Sequence, residues 1–218
     1  MAPTPRALLS QDAKDYVRQA VTSGRFPAES RVSIGRLAEE LEISPTPVRE
    51  GLVQLVAEGF LCQLPNRGFH VLPLTMREVT ELYPIGSILE DFGLRTSPPP
   101  GPDRMAELRC VNSRLRDNVG KDPEAMIRLN QQWHHLLLEG GDNQQLMQMI
   151  ERLRDRTFRY EFVCYAFDQA ELVEMMDMHR TILAALEEDD QERASAAMRR
   201  HWHENLELVI AAGRTLFT

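Results

Sequence analysis

The chain has 218 residues, of which 43% are hydrophobic and 27% are charged, a composition typical of a globular protein with one or two domains. Its formal net charge is −8 and its pI is about 5.3, which excludes a protein that binds nucleic acid through an overall basic charge. No apolar run is long enough for a signal peptide or a membrane-spanning helix, so we expect a cytoplasmic protein with no membrane partner.

The first predicted elements are three helices. Apolar spacing predicts a helix over residues 8–23 and a second helix after Ser33, whose side chain is suited to cap its first turn. Residues 42–44 then form a turn. Ser44 can cap the third helix, and Pro45 suits its first position, where no backbone N–H is required.

Two short strands are predicted next, over residues 61–64 and 69–72. The segment 65–68 between them consists of Pro, Asn, Arg and Gly, which favour a tight turn. Arg67 would therefore lie at the tip of a hairpin, within reach of a phosphate or the minor groove. Three helices and a β-hairpin form a winged helix-turn-helix, and we predict a DNA-binding domain over residues 1–73.

The predicted DNA contacts lie on the third helix, at the turn before it and on the hairpin. Residues 1–73 carry eight Lys or Arg and eight Asp or Glu, so the positive groups must be concentrated on one face. A homodimer would double that face and match a palindromic operator in double-stranded DNA. The predicted set is Arg36, Ser44, Thr46, Pro47, Arg49, Asn66, Arg67 and Gly68.

The same segment carries a family resemblance. The runs S-P-T-P-V-R-E-G-L at residues 44–52, L-x-x-E-G-F-L at residues 55–61 and P-N-R-G-F-H-V at residues 65–71 resemble the GntR family of bacterial transcription regulators. The resemblance implies an operator-binding dimer, a repressor in our prediction, whose affinity for DNA is set by a small-molecule effector.

Three positions depart from the family pattern. Pro45 stands where the family usually has an Arg that touches DNA, so the operator sequence need not be the usual one. Glu42 stands at the usual turn Gly. Gly51 replaces a helix-favouring Ala, at a cost of roughly 1 kcal/mol in helix propensity.

From residue 74 onwards the chain is predicted to be helical. A capping-box pattern at residues 75–78 opens the first helix, and this half holds 17 Lys or Arg against 25 Asp or Glu. Helical apolar spacing recurs in the segments 75–95, 103–119, 122–138, 143–166, 168–187 and 190–213. The fold class is therefore mainly α, a winged helix-turn-helix followed by an all-α bundle of six helices, with seven as the alternative, over residues 74–218.

Three histidines on three predicted helices, His134, His179 and His201, lie on apolar stripes. Asn130 precedes His134 by four residues and can present its side chain to the same point. A lone histidine on an apolar face is usually a core residue, but three that converge with an amide oxygen suit a divalent transition metal such as zinc, nickel or manganese. We expect the other histidines, His70, His135 and His203, at the surface.

This half carries a second, independent resemblance. N-x-x-W-H from residue 130, G-G-D-N from residue 140 and H-x-x-I-L-x-A-L from residue 179 resemble the FCD effector domain. The resemblance implies a metal on Asn130, His134, His179 and His201, with an effector beside or upon it. Many members have Asp where this chain has Asn130, so the site loses one negative charge. Gly86 occupies the place of an Arg that commonly reaches the effector.

The predicted effector is a small organic acid whose carboxylate completes the coordination of the metal. Arg156 is a candidate partner because it continues the apolar stripe of its helix, although a surface position at the helix edge is equally compatible with the spacing. Asn205, on the same inward stripe as His201, is the second predicted effector contact.

Other interpretations of the metal remain open at this point. The ion could be purely structural, in a vestigial pocket, or it could itself be the signal. A metal-dependent hydrolase would need a general base beside the metal, and the nearest inward carboxylate by spacing is Glu90. We predict no enzyme, since a DNA-reading domain fits a sensor better.

Two further predictions concern the cysteines and the methionines. Cys62, Cys110 and Cys164 form no CxxC pair, and we expect three reduced, buried thiols. The methionine-rich segment 175–178 can supply either core packing or a dimer interface.

Overall fold

The computed structural model describes residues 5–165 and 169–214. The chain folds as two units, Met1–Leu74 and Thr75–Thr218. The described part of the first unit contains α1 (Pro5–Thr22), β1 (Arg31–Val32), α2 (Ile34–Glu40), α3 (Pro45–Ala57), β2 (Leu61–Leu64) and β3 (Gly68–Val71). The strands form an antiparallel sheet in the order β1-β3-β2, with Val32 opposite Phe69 and Leu61 opposite Val71. The winged helix-turn-helix is therefore confirmed, with β1 as a strand that the sequence did not predict.

Local signals explain the helix ends in this unit. Ser33 caps α2, because its hydroxyl accepts a hydrogen bond from the backbone N–H of Arg36. Ser44 stands at the N-cap of α3, yet its side chain makes no capping hydrogen bond, and Pro45 occupies the first turn as predicted. Glu42 has φ 54°, a left-handed conformation that favours glycine, at the position where the family pattern has Gly.

Gly51 has a packing role that helix propensity did not indicate. A Cβ on this residue would lie 2.7 Å from the Ser10 carbonyl oxygen and 3.0 Å from the Lys14 backbone nitrogen. The backbones of α1 and α3 thus approach at a distance that only glycine permits. The core beside this contact contains Val17, Val48, Leu52 and Phe69, all at most 1% exposed.

The second unit is helical throughout its described residues. It consists of α4 (Met76–Thr96), α5 (Pro102–Asn118), α6 (Pro123–Leu138), α7 (Gln144–Tyr165), α8 (Gln169–Glu187) and α9 (Gln191–Gly213). These bounds agree within one residue with the predicted segments, of which the ends at residues 166 and 168 lie outside the described residues. Helix α9 packs against α4, α7 and α8, and α5 packs against α6 and α8, so polar residues on their inward faces can meet.

The expectations for the sulfur-containing residues are partly wrong. Cys110 is exposed and Cys62 is half-buried, so burial does not explain either thiol, although both are free. The side chain of Cys164 lies outside the described residues. Met175 and Met176 are buried, which supports core packing over an exposed interface. None of the described helices is long and apolar enough to cross a membrane.

Candidate metal centre and DNA-binding surface

Three histidines from three helices meet inside the second unit. His134 from α6, His179 from α8 and His201 from α9 are 1%, 0% and 2% exposed. One ring nitrogen of each lies within 4.8 Å of those of the other two. The ring centroids are 4.9–5.2 Å apart. This spacing brings three potential ligand atoms to one point, as the apolar stripes of the sequence suggested.

Burial keeps these imidazoles neutral. Desolvation lowers the pKa of His134 to about 4, and the nearby positive charge of Arg154 adds to this effect. Desolvation also holds the pKa values of His179 and His201 well below the usual histidine value, and repulsion from neighbouring imidazoles acts in the same direction. Neutral imidazole is the form that binds metal ions.

Asn112 on α5 fixes the proton of His179. The Nδ2 group of Asn112 donates to the Met176 carbonyl, which turns its Oδ1 towards His179 Nδ1 at 3.1 Å. His179 therefore carries its proton on Nδ1, and its Nε2 lone pair is left without a hydrogen-bond partner among the described residues. Trp133 stacks on the same ring at 3.7 Å between centroids. Asn112 is not among the predicted site residues, because it interrupts the apolar stripe of α5.

A buried carboxylate lies beside His134. Glu90 Oε2 is 3.2 Å from His134 Nδ1, and the Glu90 carboxylate also accepts hydrogen bonds from Arg154 and from Trp202 Nε1. Desolvation alone would raise the pKa of Glu90, but the positive charge of Arg154 and the hydrogen bonds from Arg154 and His134 outweigh it and hold the pKa well below the usual range. Glu90 is thus ionised and its charge is offset by Arg154. Its position suits an orienting partner of His134.

Two buried amides each lie one helical turn from a histidine of the cluster. Asn130 Nδ2 donates to Glu161 Oε2 at 3.4 Å, and Asn205 Nδ2 donates to Glu161 Oε1 at 3.2 Å. Across residues 5–165 and 169–214, no hydrogen-bond partner reaches Asn130 Oδ1, Asn205 Oδ1 or His201 Nδ1. Buried acceptors without partners are rare in proteins, and a set of imidazole nitrogens and amide oxygens is a donor set that divalent transition metals accept. The residues present therefore fit a metal ion.

Arg156 is not brought to this cluster. Its Nε donates to Glu78 Oε1 at 3.0 Å, and its side chain is 37% exposed. Arg154, two residues earlier on α7, is buried at 6% exposure, and it reaches the histidines through Glu90. Arg156 lies two helical turns after Met149, which is 56% exposed, so this side of α7 faces outward. The surface position that the spacing also allowed for Arg156 is the one observed.

The space beside Gly86, where the resemblance implied an Arg in other family members, is filled by an indole. A Cβ on Gly86 would lie 2.5 Å from Trp202 Cζ3 and 2.7 Å from Cζ2. Trp202 also meets Tyr83 edge-on at 5.6 Å between centroids and lies 5.2 Å from the Arg154 guanidinium carbon. An arginine at position 86 would therefore require the indole to leave.

The cluster is approached by a cleft of ≈ 470 Å³ between α8 and α9. His201 and Asn205 line it. Its lining also includes three acidic residues, Glu174, Glu204 and Glu207. The cleft therefore reaches one histidine and one amide of the buried group and has an acidic rim.

Most of the predicted DNA contacts are accessible. Arg36, Ser44, Thr46, Arg49, Asn66 and Arg67 are exposed. Gly68 is half-buried and has φ 82°, as the hairpin turn requires. Pro47 is instead buried, because the third position of α3 faces the core, and its side chain is not available for the DNA contact predicted for it.

The other three histidines lie outside the cluster. His135 and His203 are exposed, as expected for surface residues. His70 on β3 is half-buried, so the surface prediction is only partly correct for it.

Two family models match the chain. The FCD domain matches residues 81–204, and the bacterial regulatory proteins of the gntR family match residues 9–71. The chain belongs to the GntR family, with an FCD domain. This GntR-family protein is a transcription regulator and not an enzyme.

Relatives of this GntR-family regulator extend over nearly its whole length. It is 25% identical over 97% of the chain to the uncharacterized HTH-type transcriptional regulator YdhC of Bacillus subtilis, of which 96% is covered. It is 24% identical over 89% of the chain to the HTH-type transcriptional repressor GlaR of Escherichia coli, of which 92% is covered. The structure of E. coli McbR/YncC matches with a TM-score of 0.82 at 25% identity, covering 97% of this chain and 99% of that one.

Proposed function

We propose that this GntR-family regulator binds a palindromic operator as a homodimer and that a divalent metal with a small organic acid in the FCD domain sets its DNA affinity. The observation that carries the proposal is the set of buried acceptors on His134, His179, His201, Asn130 and Asn205, in a unit joined to a winged helix-turn-helix. Leaving such acceptors unpaired costs about 1–3 kcal/mol each, so a bound cation would stabilise the domain.

The donor set supports zinc, nickel or manganese. Three neutral imidazoles favour a borderline transition metal, and amide oxygens extend the choice towards harder ions such as manganese. Asn112 and Glu90 would hold two of the imidazoles in place from behind. When bound, the metal supplies a positive centre to which an acid can coordinate.

The charges around the centre support an anionic effector. All the proposed ligands are neutral, since Asn130 replaces the Asp of many family members. Glu90 is already offset by Arg154, and Glu161 lies behind the amides and not among the ligands. A carboxylate effector would bring negative charge directly to the ion through the cleft that Asn205 lines.

A second candidate is a regulator in which the metal ion itself is the signal. The acidic rim of Glu174, Glu204 and Glu207 attracts cations to the cleft and repels carboxylates. Trp202 also fills the space beside Gly86 that the family commonly gives to an effector-binding Arg. Both observations favour entry of a cation over entry of an acid.

The homodimer has support from an exposed apolar stripe on α4. Ile85, Ile88 and Phe92 are 47%, 68% and 50% exposed, and their spacing of three and four residues puts them on one helix face. Such a face is covered in most proteins, and a second copy would cover it in a two-fold arrangement that suits a palindromic operator. We place this dimer in the cytoplasm, where bacterial DNA lies.

The test is operator binding measured by fluorescence anisotropy with the DNA upstream of the regulator's own gene. The chelated protein is compared with protein loaded with Zn²⁺, Ni²⁺ or Mn²⁺, each with and without a panel of small organic acids. A change of roughly 5–150-fold that needs both metal and acid supports the main proposal. A change with metal alone supports the second candidate. Unchanged affinity under every condition overturns both.

A further inference from the structure

We propose that Glu161 is a positioning residue that orients the side-chain amides of Asn130 and Asn205. In this orientation both amide oxygens, and not only that of Asn130, coordinate the metal. The inference rests on the proposed metal site and deepens it. It assigns a role to a buried carboxylate, 1% exposed, that neither the sequence motifs nor the histidine cluster require.

The three side chains form a clamp across three helices. Glu161 on α7 uses one carboxylate oxygen for each amide, Oε2 for Asn130 on α6 and Oε1 for Asn205 on α9. Asn130 lies four residues before His134, and Asn205 lies four residues after His201. Each amide therefore lies one helical turn from a histidine of the cluster and on the same face.

The chemistry of the carboxylate fixes the orientation of both amides. Each Glu161 oxygen accepts a hydrogen bond from one amide, so each asparagine presents its NH₂ group to Glu161. The Oδ1 atoms then lie on the far side of each amide from Glu161. They are buried, and none of the described residues donates a hydrogen bond to them. A cation between the helices would satisfy both.

The same carboxylate restores the charge that the ligand set lacks. Asn130 is neutral where many family members have Asp, so the negative charge here stands behind the ligand instead of on it. Glu161 thus orients two neutral oxygen donors and offsets part of the metal charge at a distance. Loss of Glu161 would free the amides to turn their NH₂ groups towards the cation, which repels them.

The test is a titration of the chelator-stripped full chain with Co²⁺, followed by visible absorption and competition with a metal-binding dye. Glu161→Gln should weaken Co²⁺ binding by roughly 10–100-fold, as expected for loss of a group that orients ligands. Its spectrum should become more intense, since fewer oxygen ligands lower the coordination number. Glu151→Gln, an exposed glutamate on the same helix, is the matched control and should leave both unchanged.

A mutant cycle separates orientation from charge. Asn130→Ala with Asn205→Ala removes the amides, and Glu161→Gln should then have little further effect on Co²⁺ affinity. An undiminished effect in that background overturns the positioning role. If Glu161→Gln does not fold in chelator, Asn205→Ala is the variant that tests the proposal. Unchanged Co²⁺ affinity and an unchanged spectrum in Asn205→Ala would show that Asn205 is not a metal ligand.

The metal centre and the role of Glu161 can be overturned separately. A wild-type chain that binds no Co²⁺ overturns the metal centre itself, and this inference with it. A wild-type chain that binds Co²⁺ with the same affinity and spectrum as Glu161→Gln overturns only the role of Glu161.

Discussion

The indole of Trp202 occupies the space that any side chain at Gly86 would need, with Cζ3 only 2.5 Å from the position of a Cβ. Gly86 is buried within α4, and Trp202 donates to Glu90 from α9 at 2.8 Å. The two residues therefore depend on each other. Gly86 leaves the space that the indole occupies, and the indole holds the Glu90 carboxylate beside His134.

Gly86→Ala should destabilise the protein by about 1–3 kcal/mol through overpacking, although alanine gains about 1 kcal/mol of helix propensity. The measurement is urea unfolding followed by circular dichroism. In a Trp202→Ala background the clash is absent, so the same substitution should be neutral or stabilising. Additive effects of the two substitutions would contradict the proposed coupling.

Gly51→Ala should destabilise the chain by about 1–3 kcal/mol, because its Cβ would meet the backbone of α1, which cannot rotate away as a side chain can. Gly35→Ala is the matched control, since that glycine lies within α2 with nothing inside 4 Å of its Cβ. We expect the control to stabilise by about 0.5–1 kcal/mol. Equal effects of the two substitutions in urea unfolding would contradict close packing at Gly51.

Much of the fold is predictable from the sequence, because helix signals are local. The Pro- and Gly-rich breaks and the helical apolar spacing give the bounds of the second unit to within one residue where it is described. The convergence of His134, His179 and His201 also follows from spacing, since each lies on an inward stripe.

The surroundings of the histidines are not predictable in the same way. Arg154 and not Arg156 faces inward, because the buried face of α7 runs through Ile150, Arg154 and Thr157 and leaves Met149 exposed. The spacing of apolar residues alone does not distinguish these two faces when a buried position is polar. The tight approach at Gly86 depends on a residue 116 positions away and has no local signal.

Acid should destabilise the metal-free protein between about pH 6.5 and pH 4. The buried histidines have lowered pKa values, about 4 for His134, so the unfolded chain binds protons in this window and the folded chain does not. Stability is complete above the unfolded pKa and falls as the pH falls, by up to about 1.4 kcal/mol per pH unit for each histidine.

Urea unfolding in chelator at pH 7, 6 and 5 measures this slope. His179→Gln should reduce it by about a third, since one of three buried imidazoles no longer titrates. His135→Gln, at an exposed histidine, is the control. A wild-type stability that does not change between pH 7 and pH 5 would contradict neutral, buried imidazoles.

Arg49→Ala should strongly weaken specific operator binding while the fold is retained. Arg49 is exposed on α3 and has no helix-propensity cost on replacement by alanine, so the loss measures the DNA contact. We expect roughly 10–100-fold weaker binding to the operator and a much smaller change for random DNA. Arg200→Ala, at a 70% exposed arginine of α9, is the control in the same anisotropy assay. Unchanged operator affinity would show that α3 is not the recognition helix.

Tyr160→Phe should weaken the communication between the metal centre and the DNA-binding unit. Tyr160 is adjacent to Glu161 on α7, its hydroxyl donates to Glu78, and it accepts a hydrogen bond from the Thr75 N–H at 3.2 Å. Thr75 is the first residue of the second unit, directly after the DNA-binding unit. A displacement of α7 on metal binding would therefore be passed to the start of α4 through this hydroxyl.

The variant should bind Co²⁺ with wild-type affinity, and in chelator it should bind the operator with wild-type affinity. The substitution alters neither the metal ligands nor the DNA contacts. The change in operator affinity caused by metal should shrink, since the coupling free energy of about 1–3 kcal/mol depends on a connection that phenylalanine lacks. Arg156→Lys is the control, because it changes another contact of Glu78 but retains the charge and the Tyr160 hydroxyl. This control should keep the full metal-dependent change in operator affinity. Full metal-dependent regulation in Tyr160→Phe would rule out this route and direct attention to α9, which carries His201 and packs directly on α4.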